Sequence, residues 1–396
     1  MKKIPISIIL FFTSIITINL SSCINDKSTE NEQRRKANFV LTDSIILSID
    51  TSTSTESGTL LFYSDQNLNK DYIVYYDNIT RKITFIDLKT QKVDFKINIH
   101  NKGKNAISYY AGFCIKNLDS IYVFSAGLKI YRINRYGEIL STIDYDTLVS
   151  DFPIVPLSSF SKFHTNAIIV KNEMYVIQGD ATYHYSDIND PTKYNFCYKV
   201  NLNKNTVNLM KIHHPDNYWA KGVKELLVSW DYNGSSFVYS PLYSNDIYLS
   251  KNNNKIDKIY KIKSRYINSL NFYNPNNIPS QEEYLENRLL YQRYLGIIYD
   301  PYNDCYYRFF WSGMDITNFS DEELVKNYKN IPTFGISVIN KNFQIVDEII
   351  LPEYTYTPHK YFITEKGLAI SADHPDNPSL TESKWIFHIY NLKTIK

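Results

Sequence analysis

The stretch IIYDPYNDCYYRFFW at residues 297–311 places a carboxylate, a guanidinium and an indole among other aromatic side chains. Asp300, Arg308 and Trp311 are candidate ligand-binding residues, because a guanidinium holds anionic groups and aromatic rings stack on ligands. The alternative is that these residues fill the inside of a β-sheet protein. The segment DPYND (300–304) favours a turn, so the stretch predicts an antiparallel hairpin.

Motifs for enzymatic chemistry are missing from the sequence. No two glycines lie within five residues of each other, which excludes GxGxxG and the P-loop, and GxSxG and HExxH are also absent. The motif HPDN occurs at 214–217 and at 374–377. Metal binding by these histidines is one hypothesis, but proline, Asp and Asn predict turns at strand ends, so no metal ligand is assigned. No catalytic residue or cofactor is predicted.

The N-terminus carries a secretory signal. Lys2 and Lys3 precede an apolar stretch over residues 4–20, and LSSC follows at 20–23. Small residues directly before a cysteine resemble a bacterial lipobox. That resemblance implies cleavage after Ser22, diacylglycerol and N-acyl groups on Cys23, and attachment to the membrane by the acyl chains. We therefore predict a signal peptide over 1–22, a polar, lipidated and disordered tether over 23–38, and one domain over 39–396.

Three short segments are similar to the O-glycosylation sequon of exported Bacteroidota proteins, in which Asp precedes Ser or Thr and an aliphatic residue follows. They are DSI at 43–45, DSI at 119–121 and DTL at 146–148. The candidate acceptors are Ser44, Ser120 and Thr147.

Composition favours strands and argues against nucleic-acid binding. The chain has 43 Lys and Arg against 41 Asp and Glu, and loss of Lys2 and Lys3 with the signal leaves equal numbers, whereas nucleic-acid binding requires a clustered basic surface. Tyrosine, at 35 residues, and phenylalanine, at 21, favour β-strands. Cys114, Cys197 and Cys305 are an odd number at wide spacing, so we interpret them as small buried hydrophobic residues.

Pairs of alternating strands recur six times along the chain. The first member of each pair is YIVYY (72–76), IYVFS (121–125), MYVIQ (174–178), DIYLS (246–250), CYYRFF (305–310) or GLAIS (367–371). The second member of each pair is ITFIDL (83–88), KIYRIN (129–134), CYKVNL (197–202), KIYKIK (258–263), GISVIN (335–340) or FHIYNL (387–392). Four units continue into a further strand, at 92–99, 138–145, 206–213 and 343–351, and the fourth unit has a candidate at 265–273. Spacings of about 50 to 70 residues predict four-stranded blades of a β-propeller.

The sixth unit lacks this further strand, because the sequence ends shortly after 387–392. FVLTDSIILSID at 39–50 has the same alternating, isoleucine-rich character as 343–351. An N-terminal strand that completes the last sheet would close the ring and remove its exposed edges. The predicted fold is therefore an all-β, six-bladed β-propeller with four-stranded antiparallel blades, closed by its N-terminal strand.

Two capping boxes predict short helical insertions in this fold. Ser280 with Glu283 and Ser320 with Glu323 match the S-x-x-E pattern, in which each side chain accepts from or reaches back to a free backbone N–H group. Helices are expected near 281–293 and 321–329.

The aromatic hairpin falls in the fifth unit. Its outgoing strand alternates, and both faces of a blade can be buried, so core packing is the main interpretation. Arg308 then requires a carboxylate or a ring to stack on, and Asp300 or Asp304 is close enough in sequence. If Arg308 instead points into the central channel, it could hold an anionic ligand group.

The lipobox, the six aromatic units and the hairpin YDPYNDCYYRFF resemble uncharacterised lipoproteins of Bacteroidota that are described as six-bladed β-propellers of unknown function. The resemblance covers most of the chain after the signal. It implies the fold and a location in the cell envelope, with the outer membrane expected, and it supplies no catalytic residues.

These observations predict a lipid-anchored, non-catalytic module that binds a glycan, a peptide or an envelope protein. The alternative is a propeller hydrolase or lyase with a metal-assisted site in the central channel, because such sites are built from loops of distant blades that carry no sequence motif. Membrane attachment is expected through the lipid, and no nucleic-acid partner is predicted.

Overall fold

A computed structural model describes residues 37–55, 57–145, 148, 154, 156–157, 165–179, 190–271 and 280–394. Within these residues the chain forms six antiparallel sheets, arranged as the blades of a propeller. The predicted fold class is therefore confirmed.

The strands are numbered in chain order and, after the first, follow one another blade by blade. They are β1 (Ala37–Ser48); β2 (Ser57–Asp65), β3 (Lys70–Asp77), β4 (Lys82–Asp87) and β5 (Lys92–Asn98) in blade 1; β6 (Tyr110–Asn117), β7 (Ser120–Ser125), β8 (Lys129–Ile133) and β9 (Ile139–Asp144) in blade 2; β10 (Pro156–Leu157), β11 (Ile168–Val170), β12 (Glu173–Gln178), β13 (Cys197–Asn201) and β14 (Thr206–Leu209) in blade 3; β15 (Val228–Tyr232), β16 (Phe237–Pro241), β17 (Asp246–Ser250) and β18 (Lys258–Lys261) in blade 4; β19 (Arg293–Asp300), β20 (Cys305–Trp311), β21 (Gly335–Asn340) and β22 (Ile345–Ile350) in blade 5; and β23 (Tyr361–Thr364), β24 (Gly367–Ser371) and β25 (Lys384–Thr394) in blade 6. In blade 3 the short strands β10 and β11 both pair with β12.

Strand β1 closes the ring as predicted. It pairs antiparallel with β25 and is the outermost strand of blade 6, with Leu47 opposite Trp385. The backbone N–H of Phe39 also donates to the Asp347 carboxylate of blade 5 at 2.7 Å. The closing strand is therefore held by its own sheet and by the neighbouring blade.

One prediction about blade 4 is wrong. Residues 265–271 of the proposed strand 265–273 form no strand, and 272–273 lie outside the described residues. The alternating strands at 246–250 and 258–263 are the third and fourth of their blade, because β15 and β16 precede them. Alternation identifies a strand but does not fix its position within a blade.

Both helices form with their predicted caps. Helix α1 is Gln281–Leu290 and helix α2 is Asp321–Lys329, and each has the complete capping box on Ser280 or Ser320. Helix α1 ends three residues earlier than predicted, since Arg293 already begins β19. A 3₁₀ turn, Pro191–Lys193, precedes β13.

The strand directions define two faces of the ring. We call the side at which the first and third strands of each blade begin the connection face, and the opposite side the turn face. Helix α1 lies before the first strand of blade 5 and α2 lies before its third strand, so both helices are on the connection face. Strand β1 begins, and β25 ends, on the turn face.

A repeated side-chain device makes the tight turns without glycine. In five turns an Asp or Asn at the end of a strand accepts the N–H groups of the second and third following residues, and the fourth has a positive φ between 47° and 58°. The five begin at Asp65, Asp77, Asp87, Asn201 and Asp300. This explains how a chain with 12 glycines builds so many hairpins.

Candidate functional site

The aromatic hairpin is core between blades, as its main interpretation predicted. Every residue of β20 is buried. Tyr307, Phe309 and Trp311 pack toward blade 6 and the helices, whereas Tyr306 packs toward blade 4. The Phe310 ring lies where a Cβ atom of Gly335 would be, so this close approach requires glycine.

Arg308 joins blade 5 to blade 4. Its side chain is fully buried, and its guanidinium donates to the Ser240 hydroxyl at 2.8 Å and to the carbonyls of Ile262 at 3.0 Å and Ser244 at 2.8 Å. It also stacks over the Tyr294 ring at 3.3 Å from the centroid, and burial lowers the pKa of Arg308 to about 10. The expected stacking is present. The prediction that Asp300 or Asp304 is the partner of Arg308 is wrong, because backbone carbonyls of the preceding blade accept its hydrogen bonds instead.

The other two candidates of the hairpin lie apart from Arg308. Asp300, on the turn face, accepts the Tyr307 hydroxyl at 2.8 Å and the N–H groups of Tyr302 and Asn303. Trp311, at the connection face, donates its indole N–H to the Leu289 carbonyl of helix α1 at 2.8 Å. The structure therefore does not bring Asp300, Arg308 and Trp311 to one place.

A group of buried charges that sequence reasoning missed lies on the connection face, where blades 4 and 5 meet. We call Glu225, Tyr243, Tyr284, Arg288 and Arg293 the arginine cluster. Arg288 donates to the Glu225 carboxylate at 2.9 Å and to the Tyr284 hydroxyl at 2.7 Å, and its Nη1 lies 3.4 Å from the Tyr243 hydroxyl. Glu225 precedes β15 and Arg288 lies in α1, so the two connections meet here.

Arg293 is the first residue of β19 and turns back to the end of helix α1. Its Nη1 donates to the Arg288 carbonyl and, at 3.4 Å, to the Tyr291 carbonyl. The carbonyl end of a helix carries partial negative charge, so a cation is favourable there. Unlike Arg288, Arg293 has no carboxylate in contact among the described residues.

The two arginines differ electrostatically because only one has a partner carboxylate. Burial alone would lower the pKa of Arg288. The adjacent Glu225 carboxylate has a larger effect in the opposite direction, together with the nearby tyrosines, so the pKa lies well above its usual value. Burial lowers the pKa of Arg293. Nearby Lys224, whose ammonium lies 4.0 Å from the Tyr218 ring centroid, has a pKa lowered to about 8 by burial. Perturbed pKa values of this kind are typical of functional sites.

The arrangement can hold an anion. The cluster contains two buried guanidinium groups and one carboxylate, which is bound to Arg288, so its charge is positive. Glu225 and Arg288 are 63 positions apart, and neither belongs to a recognisable motif. The capping box of α1 was the sequence feature that pointed to this region. It predicted the helix that carries Arg288 but not the residues that Arg288 contacts.

The two HPDN motifs serve the fold. His214 is fully buried, and its Nε2 donates to the Leu226 carbonyl at 2.8 Å. The His374 Nδ1 accepts the Asp376 N–H at 3.1 Å within its turn. No three His, Cys, Asp or Glu side chains in the described ranges are placed to hold a common metal ion.

The predicted modification sites are only partly covered. Ser44 is exposed on β1, the outermost strand of blade 6, and Ser120 is half-buried at the start of β7. Thr147 and Cys23 lie outside the described residues. Cys114, Cys197 and Cys305 are buried free thiols, as expected.

The fold is a six-bladed β-propeller, and its connection face carries both helices and the arginine cluster. The model of the domain of unknown function DUF4221 matches residues 36–350, so the chain belongs to the DUF4221 family. This confirms the predicted resemblance to propellers of unknown function.

Two solved structures support the fold. A DUF4221 family member from Bacteroides vulgatus ATCC 8482 has a TM-score of 0.75 at 21% identity, over 91% of this chain and 100% of its own. A protein of Bacteroides fragilis NCTC 9343 that is provisionally described as exported has a TM-score of 0.51 at 10% identity. The match covers 91% of this chain and 96% of that protein. No curated protein sequence matches the chain. None of the described helices is long and apolar enough to cross a membrane.

Proposed function

We propose that the chain is a lipid-anchored propeller of the cell envelope that acts as a non-catalytic binding module, and that its connection face receives a glycan, peptide or envelope-protein partner. The observation that carries this proposal is the difference between the two faces. The connection face bears both helices and the arginine cluster, whereas the described turns on the other face are short hairpins. Binding residues are found disproportionately on such connecting segments of a rigid scaffold.

The position of β1 supports the orientation. If Cys23 carries the lipid, the intervening chain joins the turn face at Ala37. Thirteen residues reach at most about 45 Å when extended. The turn face is then the side tied to the bilayer, and the connection face is the side free to meet a partner.

Two exposed tyrosines allow a matched test of this proposal. Tyr109 lies on the connection face, before β6, and Tyr136 lies on the turn face, between β8 and β9, with exposed fractions of 78% and 77%. A photo-crosslinking amino acid at position 109 in native cells should capture a defined partner, and the same group at 136 should not. Equal capture from both positions, or capture from 136 alone, would contradict the proposal.

The lipid anchor on Cys23 and an O-glycan on the chain are both proposed from sequence patterns. Intact-mass measurement of protein from native membranes should show diacylglycerol and N-acyl groups, which Cys23→Ser removes. Exposed Ser44 is the acceptor that the structure favours among the described sequons, and Ser44→Ala should remove a hexose-sized excess. A mass that equals the bare polypeptide would refute both modifications.

A further inference from the structure

The guanidinium of Arg293 is only half used by the fold. Its Nη1 donates to the two carbonyls at the end of helix α1. Its Nε and Nη2 have no acceptor among the described residues. The side chain is nevertheless 93% removed from solvent, since its exposed fraction is 7%. Neither nitrogen is fully buried, so solvent, and therefore a ligand, can reach this edge. An open edge of a guanidinium that the fold leaves without an acceptor can bind an anion.

Nothing in the cluster supplies the missing acceptor. The Glu225 carboxylate is bound to Arg288 at 2.9 Å, and the hydroxyl of Tyr284 accepts from the same arginine. The cluster thus has two guanidinium charges for one carboxylate, an excess of one positive charge. A bound monoanion would balance it.

We propose that the Nε–Nη2 edge of Arg293 binds the carboxylate of an acidic ligand at the connection face. This edge presents parallel N–H groups in one plane, which match the two oxygens of a carboxylate. Phosphate and sulfate carry more charge and more oxygens than this single edge satisfies. The inference rests on the proposed binding function and names the chemical group that the same face recognises.

The position of Arg293 fits such a ligand. Arg293 begins the first strand of blade 5, and the first strands of neighbouring blades contact one another around the axis. The carboxylate would therefore lie where the mouth of the central channel meets helix α1.

The test uses small carboxylates as probes of the whole mature domain. Acetate, D-glucuronate and N-acetylglutamate are titrated at constant ionic strength by calorimetry and thermal unfolding, with glucose and chloride as controls. Wild type should bind at least one carboxylate, with a rise in Tm that saturates. The glucuronate and N-acetylglutamate arms distinguish an acidic sugar from an acidic peptide group.

Arg293→Lys is the informative variant, because lysine keeps a cation for the helix carbonyls but lacks the planar edge. Its carboxylate affinity should fall at least tenfold. Arg135→Lys, on the turn face, is the matched control and should bind as wild type does. Retention of wild-type affinity in Arg293→Lys, or no carboxylate binding by wild type, would overturn the inference.

An NMR measurement on wild type keeps the inference testable if Arg293→Lys fails to fold. An arginine ¹⁵Nε–H resonance should move with the same saturation as the Tm. If no such resonance moves at saturating carboxylate, the inference is wrong. Failure here with continued crosslinking from position 109 would leave the proposed binding function intact, whereas loss of crosslinking alone would not affect the carboxylate site.

Discussion

Single residues in this propeller show how burial decides protonation. His214 packs in the core under the connection between blades 3 and 4, with its ring stacked 3.8 Å from that of Tyr218. Burial lowers its pKa from 6.5 to about 3. Between about pH 3 and 6.5 the imidazole is therefore neutral in the folded protein, whereas an unfolded chain would bind a proton there.

This gives a pH dependence of stability with a definite sign. Below pH 6.5 the unfolded chain binds a proton on His214, whereas the folded chain does not. The free energy of unfolding therefore falls as the pH falls toward 3. Between pH 7.5 and pH 5 the contribution of His214 to this loss should be about 2 kcal/mol. Urea unfolding of wild type and of a variant without this histidine, at both pH values, measures it.

His214→Gln removes the titrating group but keeps an N–H donor for the Leu226 carbonyl. It should lose about 2 kcal/mol less than wild type over the same pH interval. His213→Gln, one position earlier and half-buried, serves as the control. If His214→Gln and wild type lose the same stability, the buried neutral imidazole is not the cause.

Sequence reasoning at the residue scale located some chemistry and missed the rest for a physical reason. The Asp300 turn and both helix caps were predictable, because their hydrogen bonds join residues within four positions. Arg308 and Arg288 depend on partners 45 to 68 positions away, which only the assembled blades bring close. The sequence predicted a nearby carboxylate or an aromatic ring as the partner of Arg308, and the structure has the ring together with distant carbonyls.

At the scale of elements, neighbouring blades are joined by polar contacts as well as by apolar packing. The Ser229 hydroxyl and the Asp231 carboxylate on β15 accept the N–H groups of Ile297 and Tyr299 on β19, at 3.0 and 2.7 Å. Arg308 on β20 reaches blade 4 in the same way. Replacing one polar group at the junction between blades 4 and 5 by an apolar group would therefore leave its partner without a hydrogen bond.

Arg308→Met tests this junction. The change leaves the Ser244 carbonyl buried without its donor and the Ile262 carbonyl with only the Tyr294 hydroxyl, so it should cost about 3 kcal/mol of unfolding free energy. Lys255→Met, at an exposed position between β17 and β18, should cost far less, about 0.5 kcal/mol. Equal urea midpoints for the two variants would show that Arg308 does not hold the blades together.

Element prediction succeeded where alternation was regular. The second and third strands of five units, and both helices, form close to their predicted bounds. Blade 4 was predicted wrongly, because alternation marks β17 and β18 as strands but does not show that β15 and β16 precede them in the same sheet. The outer strand of blade 6 was found in spite of its distance in sequence, since each other blade indicated what was missing.

At the scale of the whole molecule, closure by β1 makes the ring continuous. Leu47 of β1 is fully buried beside Trp385 and packs with the residues of blade 1. It thus links the last blade to the first. A closed ring of this kind should unfold as a single cooperative unit.

Leu47→Ala should lower the unfolding free energy by about 2 to 5 kcal/mol, and the tryptophan-fluorescence and far-UV transitions should move together. Trp230, Trp311 and Trp385 report on blades 4, 5 and 6. Leu41→Ala, on the same strand but 50% exposed, is the control and should have little effect. Separate midpoints for the two probes in Leu47→Ala would contradict continuity around the ring.

The pairing of Ala37 with Thr394 has a consequence for how this ring could be rewired. In the other blades the third and fourth strands are joined by a turn, whereas in blade 6 the same hairpin is cut. A short linker from 394 to 37 would restore it, and new ends could then be opened at the Asp300 turn. Such a circular permutant should refold to the same sheets, and its refolding would test whether chain order matters beyond the cut itself.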